Sequence, residues 1–197
     1  MPLMPCFVPD QAATEGIIIG RILAGYGELE VTMLACLVAV EGQVDYPIRQ
    51  LFKRTTAENR IKLAIKALLP NYTNAGLEAG MREALSDVNW CRKLRNQYAH
   101  CQWGWTTADG LFFVNLEDLA EQLDPITNVM AHPLPVDVPL LEEQEAYCNY
   151  VRECFMHLET AFLALDRARS GVRQPTTHVS AKPPRKTRPP MHNLPLK

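Results

Sequence analysis

Apolar side chains recur with helical spacing over most of the chain. Four stripes of such side chains occur, and three of them predict helices over residues 55–70, 75–100 and 141–169. The first and longest stripe covers residues 15–41 and predicts an amphipathic helix that ends at Gly42. The members of this first stripe are Ile18, Ile22, Leu29, Met33, Leu37 and Val40.

Local signals set the expected ends of the second helix. Thr55 and Glu58 have the spacing of a reciprocal capping box, which predicts a helix start at this point. Pro70 disfavours the helical conformation of the residue before it, so we expect this helix to end there. Residues 71–74 are then expected to form a turn before the third helix.

One segment departs from the helical pattern. Asp109 and Gly110 stand between two short runs rich in Trp, Thr and Phe, which predicts a small β-hairpin over residues 103–114. Asn115 can cap a brief helix over 116–123, and the proline-rich stretch 124–139 is expected to be a loop. The sequence therefore predicts an all-α bundle of four to five helices with a small β-hairpin insertion.

Composition places the chain among globular proteins. It has 197 residues, of which 47% are hydrophobic and 21% are charged. Arg21, Glu28 and Glu30 interrupt the most apolar segment, so we expect no transmembrane span. The first residues lack the basic and apolar regions of a secretory signal, and we therefore expect a cytoplasmic protein.

The charges are distributed unevenly along the chain. Residues 171–197, here called the C-terminal tail, carry six basic residues, six prolines and no acidic residue, which leaves residues 1–170 with a net charge of −8. This composition predicts a helical domain over 1–170 followed by a basic, Pro-rich, disordered tail that is extended and solvated. The tail could bind RNA or a groove on a partner, or its charge could be incidental.

The cysteines show no metal-binding pattern. No CxxC pair occurs among the six, and they lie in apolar segments, so we expect buried, reduced thiols. Cys91, His100 and Cys101 lie close in sequence but lack a second closely spaced Cys/His pair to complete a zinc site. We expect neither a metal nor a cofactor.

The end of the predicted third helix concentrates the reactive side chains, in the segment Arg92-Lys93-Leu94-Arg95-Asn96-Gln97-Tyr98-Ala99-His100. An Arg guanidinium can hold phosphate oxygens, and a histidine exchanges a proton near neutral pH. Asn96 and His100 share a helix face at i,i+4, whereas Arg95 lies about 140° away from His100 on an ideal helix. These residue types suit a phosphodiester substrate.

The segment resembles the R-x4–6-H motif of the HEPN family. Arg95-Asn96 followed by His100 matches the R-[NDH]-x-x-x-H form of that motif, and the context LRNQYAHCQW is similar to sequences common in the family. The resemblance covers residues 17–169 at the level of helix order. It implies an all-α fold and a metal-independent endoribonuclease that works as a homodimer, with the motifs of two protomers forming one cleft.

The resemblance also implies residue roles. Arg95 would bind and stabilise the phosphorane, His100 would transfer protons, and Asn96 would position His100 or the phosphate. RNA would be cleaved to a 2′,3′-cyclic phosphate and a 5′-hydroxyl, in defence, in a stress response or in a toxin–antitoxin pair. One toxin subgroup carries a modifiable Tyr two places after the His, where Gln102 stands here.

Other interpretations of these residues remain open. Arg92, Lys93 and Tyr98 are candidates for substrate contacts, although Arg92 and Lys93 also suit a solvated helix face. The motif itself could be a polar helix end that interacts with the helix dipole. The bundle could then bind a nucleotide or RNA without turnover, or act as a scaffold or antitoxin-like subunit. Candidates with less support are two acidic and three aromatic residues, namely Glu28, Glu30, Trp90, Trp103 and Trp105.

Overall fold

The computed structural model describes residues 10–54, 56–107, 110–121, 133–171 and 179–192. After a 3₁₀ turn at Asp10–Ala12, the chain is mainly helical with a small antiparallel sheet. The helices are α1 (Ala13–Glu41), α2 (Asp45–Phe52), α3 (Ala57–Asn74), α4 (Glu78–Ala99), α5 (Leu116–Ala120) and α6 (Val138–Arg169). The strands are β1 (Cys101–Thr106), β2 (Gly110–Asn115) and β3 (Leu134–Pro135).

The chain divides into two compact units. The first unit takes its residues from the ranges Met1–Ala24, Lys93–Tyr147 and Thr187–Lys197, and the second from Gly25–Arg92 and Cys148–Lys186. Helices α1, α4 and α6 contribute residues to both units. Each unit has its own buried apolar side chains, for example Phe113 in the first and Phe155 in the second.

The predicted first helix is confirmed by α1. Five members of the predicted stripe are buried, and each fully buried side chain of this size contributes roughly 1.5–3 kcal/mol. Gly42 ends the helix with a φ of 69°, a conformation that favours glycine, and its N–H bonds the Val38 carbonyl at 2.8 Å.

Helix α1 has the length and the apolar composition to cross a membrane, as core helices of soluble proteins also do. The charged residues that led us to expect no transmembrane span form ion pairs in the structure. Within the first unit Arg21 contacts Glu145 at 2.6 Å, and within the second unit Glu30 contacts Arg60 at 2.7 Å.

The second predicted helix is displaced at both ends. The helix is capped by Thr56, whose hydroxyl accepts a hydrogen bond from the Asn59 N–H at 3.2 Å, and Thr55 itself lies outside the described residues. The helix also continues through Pro70 to Asn74, so the predicted end is wrong. The extra turn buries Tyr72 against Phe162, with ring centroids 4.8 Å apart, and this packing offsets the loss of one backbone hydrogen bond at the proline.

The predicted hairpin is confirmed and extended. Strands β1 and β2 pair in antiparallel register from Cys101 opposite Asn115 to Thr106 opposite Gly110, and Gly110 has a φ of 70°. Strand β3 adds a third strand to β2, in a segment that was predicted to be loop. The rest of that predicted loop is shorter than expected, because α6 begins at Val138; its residues 124–132 lie outside the described residues.

The described tail segment 179–192 has no helix or strand, and it makes polar contacts within each unit. In the second unit the Ser180 carbonyl lies 2.6 Å from His157 Nδ1, and Arg185 contacts the Asp87 carboxylate at 2.6 Å. In the first unit His192 is buried. Composition predicts low burial of apolar surface, but it does not show these specific polar partners.

Candidate functional site

The motif segment occupies the last two turns of α4 and the residue after it, and so lies at the helix end as predicted. One face of this helix is buried, and it carries the side chains of Met81, Leu85, Val88 and Leu94. The helix ends at Ala99, and the backbone N–H of His100 still bonds the Asn96 carbonyl at 3.0 Å. Strand β1 begins at Cys101, so His100 lies at the junction between helix and hairpin.

Arg95 and Asn96 are brought together on this turn. Both are half-buried, and Arg95 Nη1 donates a hydrogen bond to Asn96 Oδ1 at 3.3 Å. This contact leaves the other guanidinium N–H groups of Arg95 able to hold an anion.

His100 is exposed beside Asn96. Because the last turn keeps its α-helical hydrogen bond, Asn96 and His100 share a face while Arg95 lies round the helix from His100. No other described residue forms a hydrogen bond with the His100 ring. The imidazole is therefore accessible to a substrate, and none of the described protein groups fixes the orientation of its ring by a hydrogen bond.

The two neighbouring cations have different surroundings. Lys93 is exposed in the first unit. Arg92 belongs to the second unit, where its Nε donates to Asn89 Oδ1 at 3.1 Å. There it lines a groove of about 420 Å³ between α3 and α4, whose apolar lining residues are Ile61, Ile65, Leu69 and Leu85.

Tyr98 lies on the buried side of the same turn, with 2% of its surface exposed. Its hydroxyl donates a hydrogen bond to Gln144 Oε1 of α6 and lies 2.8 Å from Nδ1 of His192. Trp103 stacks on its ring at 6.1 Å. A contact between Tyr98 and a substrate would require these protein partners to leave.

His192 completes the buried network. Because Tyr98 donates its own proton to Gln144, the His192 Nδ1–H donates to the Tyr98 oxygen, and Nε2 accepts from the Asp137 backbone N–H at 3.4 Å. This arrangement fits a neutral ring. Burial lowers the pKa of His192, and the nearby Asp137 carboxylate opposes that shift.

Two amide side chains anchor the tail around this histidine. Gln97 Nε2 donates to the His192 carbonyl at 2.6 Å, and Gln144 Nε2 donates to the Pro190 carbonyl at 2.8 Å. No role was assigned to Gln97, Gln144 or His192 from the sequence. Gln144 stands in helical register with the apolar Leu141, Cys148 and Val151, and a glutamine in such a stripe is itself a signal, because a buried amide needs hydrogen-bond partners.

The two acidic candidates and the cysteines near the motif serve structural contacts. Glu30 is 7% exposed and paired with Arg60, while Glu28 is paired with Arg152. Cys91 is buried, and the Cys101 thiol donates to the Tyr98 carbonyl at 3.2 Å. Burial raises the pKa of Cys101 to about 12. Within the described ranges, no group of three or more His, Cys, Asp and Glu side chains is placed to hold a metal ion.

Comparisons of the chain with models of known protein families, with curated proteins and with solved structures find no match.

Proposed function

We propose that the protein is a HEPN-like endoribonuclease that uses Arg95, Asn96 and His100 and needs no metal ion. The observation that supports this proposal best is the exposed end of α4, where a guanidinium and an amide are in contact and an accessible imidazole follows one turn later. The mainly helical fold is consistent with the family that the motif resembles.

The reaction follows from what these groups can do. A basic imidazole takes the proton from the 2′-hydroxyl, the 2′-oxygen forms a bond to phosphorus, and the bond from phosphorus to the 5′-oxygen breaks. A protonated imidazole returns a proton to the leaving 5′-oxygen, so the products are a 2′,3′-cyclic phosphate and a 5′-hydroxyl. Arg95 stabilises the negative charge on the phosphorane oxygens.

Two imidazoles are needed on opposite sides of the phosphorus, and the motif supplies one. We therefore propose that the protein acts as a homodimer in which His100 of each protomer faces a shared cleft. Asn96 then positions His100, because the two share a helix face. We place this enzyme in the cytoplasm, in defence, a stress response or a toxin–antitoxin pair with a protein antitoxin.

The test is RNA cleavage by the wild type and by His100→Ala. Each purified protein is incubated with total RNA in EDTA, and the fragment ends are analysed for cyclic phosphate. Removal of a general acid–base is expected to lower the rate about 10²–10⁴-fold. His157→Gln is the matched control, because His157 lies in the second unit, bonded to Ser180. Equal cleavage by wild type and His100→Ala would refute the proposal.

A second candidate is a module that binds RNA or a nucleotide without turnover. The observation that favours it is the absence, among the described residues, of a hydrogen-bond partner that would orient the His100 ring. Saturable binding of a labelled RNA that is recovered intact, and that weakens in Arg95→Ala, would select this candidate over the nuclease.

A further inference from the structure

The second unit holds an arginine side chain from its own tail in a built pocket. The carboxylate of Asp87, whose side chain is 1% exposed, accepts a hydrogen bond from Arg185 Nη1 at 2.6 Å. The Tyr150 hydroxyl accepts from the same nitrogen at 3.2 Å, and its ring lies 5.9 Å from the guanidinium carbon. Glu83 contacts Arg185 Nε at 3.2 Å.

This set of groups is specific for a guanidinium. One carboxylate accepts a hydrogen bond from Nη1, a second forms an ion pair with Nε, and an aromatic ring attracts the same cation. A carboxylate as deeply buried as Asp87 favours a cation beside it, because the charge has lost its water. An ammonium group presents its charge at a single nitrogen and would match this geometry less well.

The arginine comes from a segment that is held at few points. Between Ser180, which is bonded by His157 and Thr160, and Arg185, the tail residues Lys182 and Pro184 are exposed. The Arg185 side chain is itself 47% exposed. A segment of irregular structure with two anchor points can be exchanged for a similar one.

The tail does not fill the surface on which it lies. A cavity of about 240 Å³ lies beside Lys182 and Pro183. Leu77, Ala84 and Leu158 contribute apolar groups to its lining, and Glu83, Asp87 and His157 contribute polar ones. A cavity of about 150 Å³ already accommodates a benzene ring. A peptide with a large apolar side chain at the position of Lys182 would therefore bury more apolar surface here than the tail does.

We propose that this surface is a docking site for an extended peptide of a partner protein, with an arginine in the Asp87–Tyr150 pocket and a large apolar residue three positions before it. The tail segment 179–186 occupies the site in its resting state and is displaced by the partner. The proposal is independent of ribonuclease activity.

The test uses full-length protein and a fluorescent peptide with the sequence of residues 179–186. In the wild type the covalently attached tail competes at an effective concentration in the mM range, so binding should be weak. The Arg185→Ala protein should bind the same peptide about tenfold more tightly, because its own arginine no longer occupies the pocket. Equal affinity for the two proteins would overturn the proposal.

Two further measurements identify the pocket. A peptide with Ala in place of Arg185 should bind the Arg185→Ala protein about thirtyfold less tightly, since one partner of a buried charge pair is missing. Adding Glu83→Gln to that protein should weaken the binding of the unaltered peptide by about threefold. Because Glu83 is 45% exposed, its substitution spares the fold. Unchanged affinity in either case would contradict the arginine pocket.

The cavity is tested separately. A peptide with Leu in place of Lys182 should bind the Arg185→Ala protein at least about threefold more tightly than the unaltered peptide does. Asp87→Asn in the same protein should abolish this binding, with circular dichroism used to verify folding. Should that variant fail to fold, Tyr150→Leu replaces it, with a loss of about tenfold expected. A Leu peptide that binds no better than the unaltered one would refute the apolar position.

Discussion

Two faces of one helical turn carry most of the polar groups at the end of α4, and they differ sharply in bonding. On the buried face, Gln97 and Tyr98 are bonded to His192, and Tyr98 also to Gln144. On the rest of the helix surface, Arg95 and Asn96 share one long hydrogen bond of 3.3 Å, and His100 is exposed. Both faces belong to the first unit and to one short stretch of sequence.

This difference in bonding distinguishes polar groups that stabilise the fold from polar groups that are available to a ligand. A buried hydroxyl or amide with partners stabilises the fold, and removing its partner leaves a desolvated group unsatisfied. Side chains with few protein partners contribute little to stability, but they keep their donors and acceptors for a ligand. We therefore expect substitutions on the two faces to act on different measurements.

After His100→Ala, the largest expected effect is on catalysis, from Arg95→Ala. Loss of a donor that stabilises transition-state charge is expected to lower the cleavage rate roughly 10²–10³-fold. The free energy of unfolding should change by less than about 1 kcal/mol, because only one long, half-buried hydrogen bond is lost. Cleavage assays and urea unfolding of the same preparation measure both quantities.

Arg82→Ala is the matched control for this substitution. Arg82 is an exposed arginine on the same helix, paired with Glu78 at 2.6 Å in the second unit. Its removal should leave the cleavage rate unchanged and cost about 0.3–0.5 kcal/mol of stability. Comparable activity losses for the two substitutions would mean that Arg95 acts through general charge alone.

The opposite pattern is expected for Tyr98→Phe. The substitution keeps the ring but removes the hydroxyl between Gln144 and His192, which should cost about 1–3 kcal/mol of unfolding free energy. For a protein of this size, each kcal/mol lowers Tm by about 2–4 °C. Tyr46→Phe is the control, because Tyr46 is 50% exposed. A loss of cleavage without a loss of stability would reverse our assignment of the two faces.

Hydrophobic periodicity predicted the long helices, and Asp109-Gly110 predicted the hairpin. Both signals depend on residues close in sequence, so they do not depend on the tertiary packing around them. Pro70 shows where local signals fail: the helix continues past it because Tyr72 packs on Phe162, a residue far along the chain. Tertiary packing of this kind overrides a propensity and leaves no trace in the local pattern.

The candidate site was predictable only in part. Residue types and i,i+4 spacing placed Asn96 and His100 on one face, and the helix confirms that placement. The burial of Tyr98 depends on Gln144 and His192, which lie 46 and 94 residues away in sequence. A polar motif alone does not show which of its members face inward.

A smaller effect is expected from pH, through His192 on the buried face. Burial lowers the pKa of His192 in the folded state, so on acidification the unfolded chain takes up the proton first, starting near pH 6.5. The stabilisation by the neutral ring is therefore complete above that pH and is lost as the pH falls through the lower folded-state pKa.

Urea unfolding at pH 7.5 and at pH 5.5 measures this loss for the wild type and His192→Gln. The difference in stability between the two proteins should shrink at the lower pH, because carboxylates common to both cancel in the comparison. A difference that stays constant would show that His192 does not titrate within this window.

The smallest expected effect is that of Lys93→Gln on the exposed face. Lys93 has no ion pair among the described residues and is exposed, so its loss should change the unfolding free energy by less than about 0.5 kcal/mol. If Lys93 contacts one phosphate, the slope of log K against log salt for single-stranded RNA should decrease by about 0.7. Lys66→Gln, an exposed lysine on α3, should leave that slope unchanged. An equal slope for Lys93→Gln and the wild type would show that Lys93 contacts no phosphate, because each released counterion contributes to the slope whatever the RNA sequence.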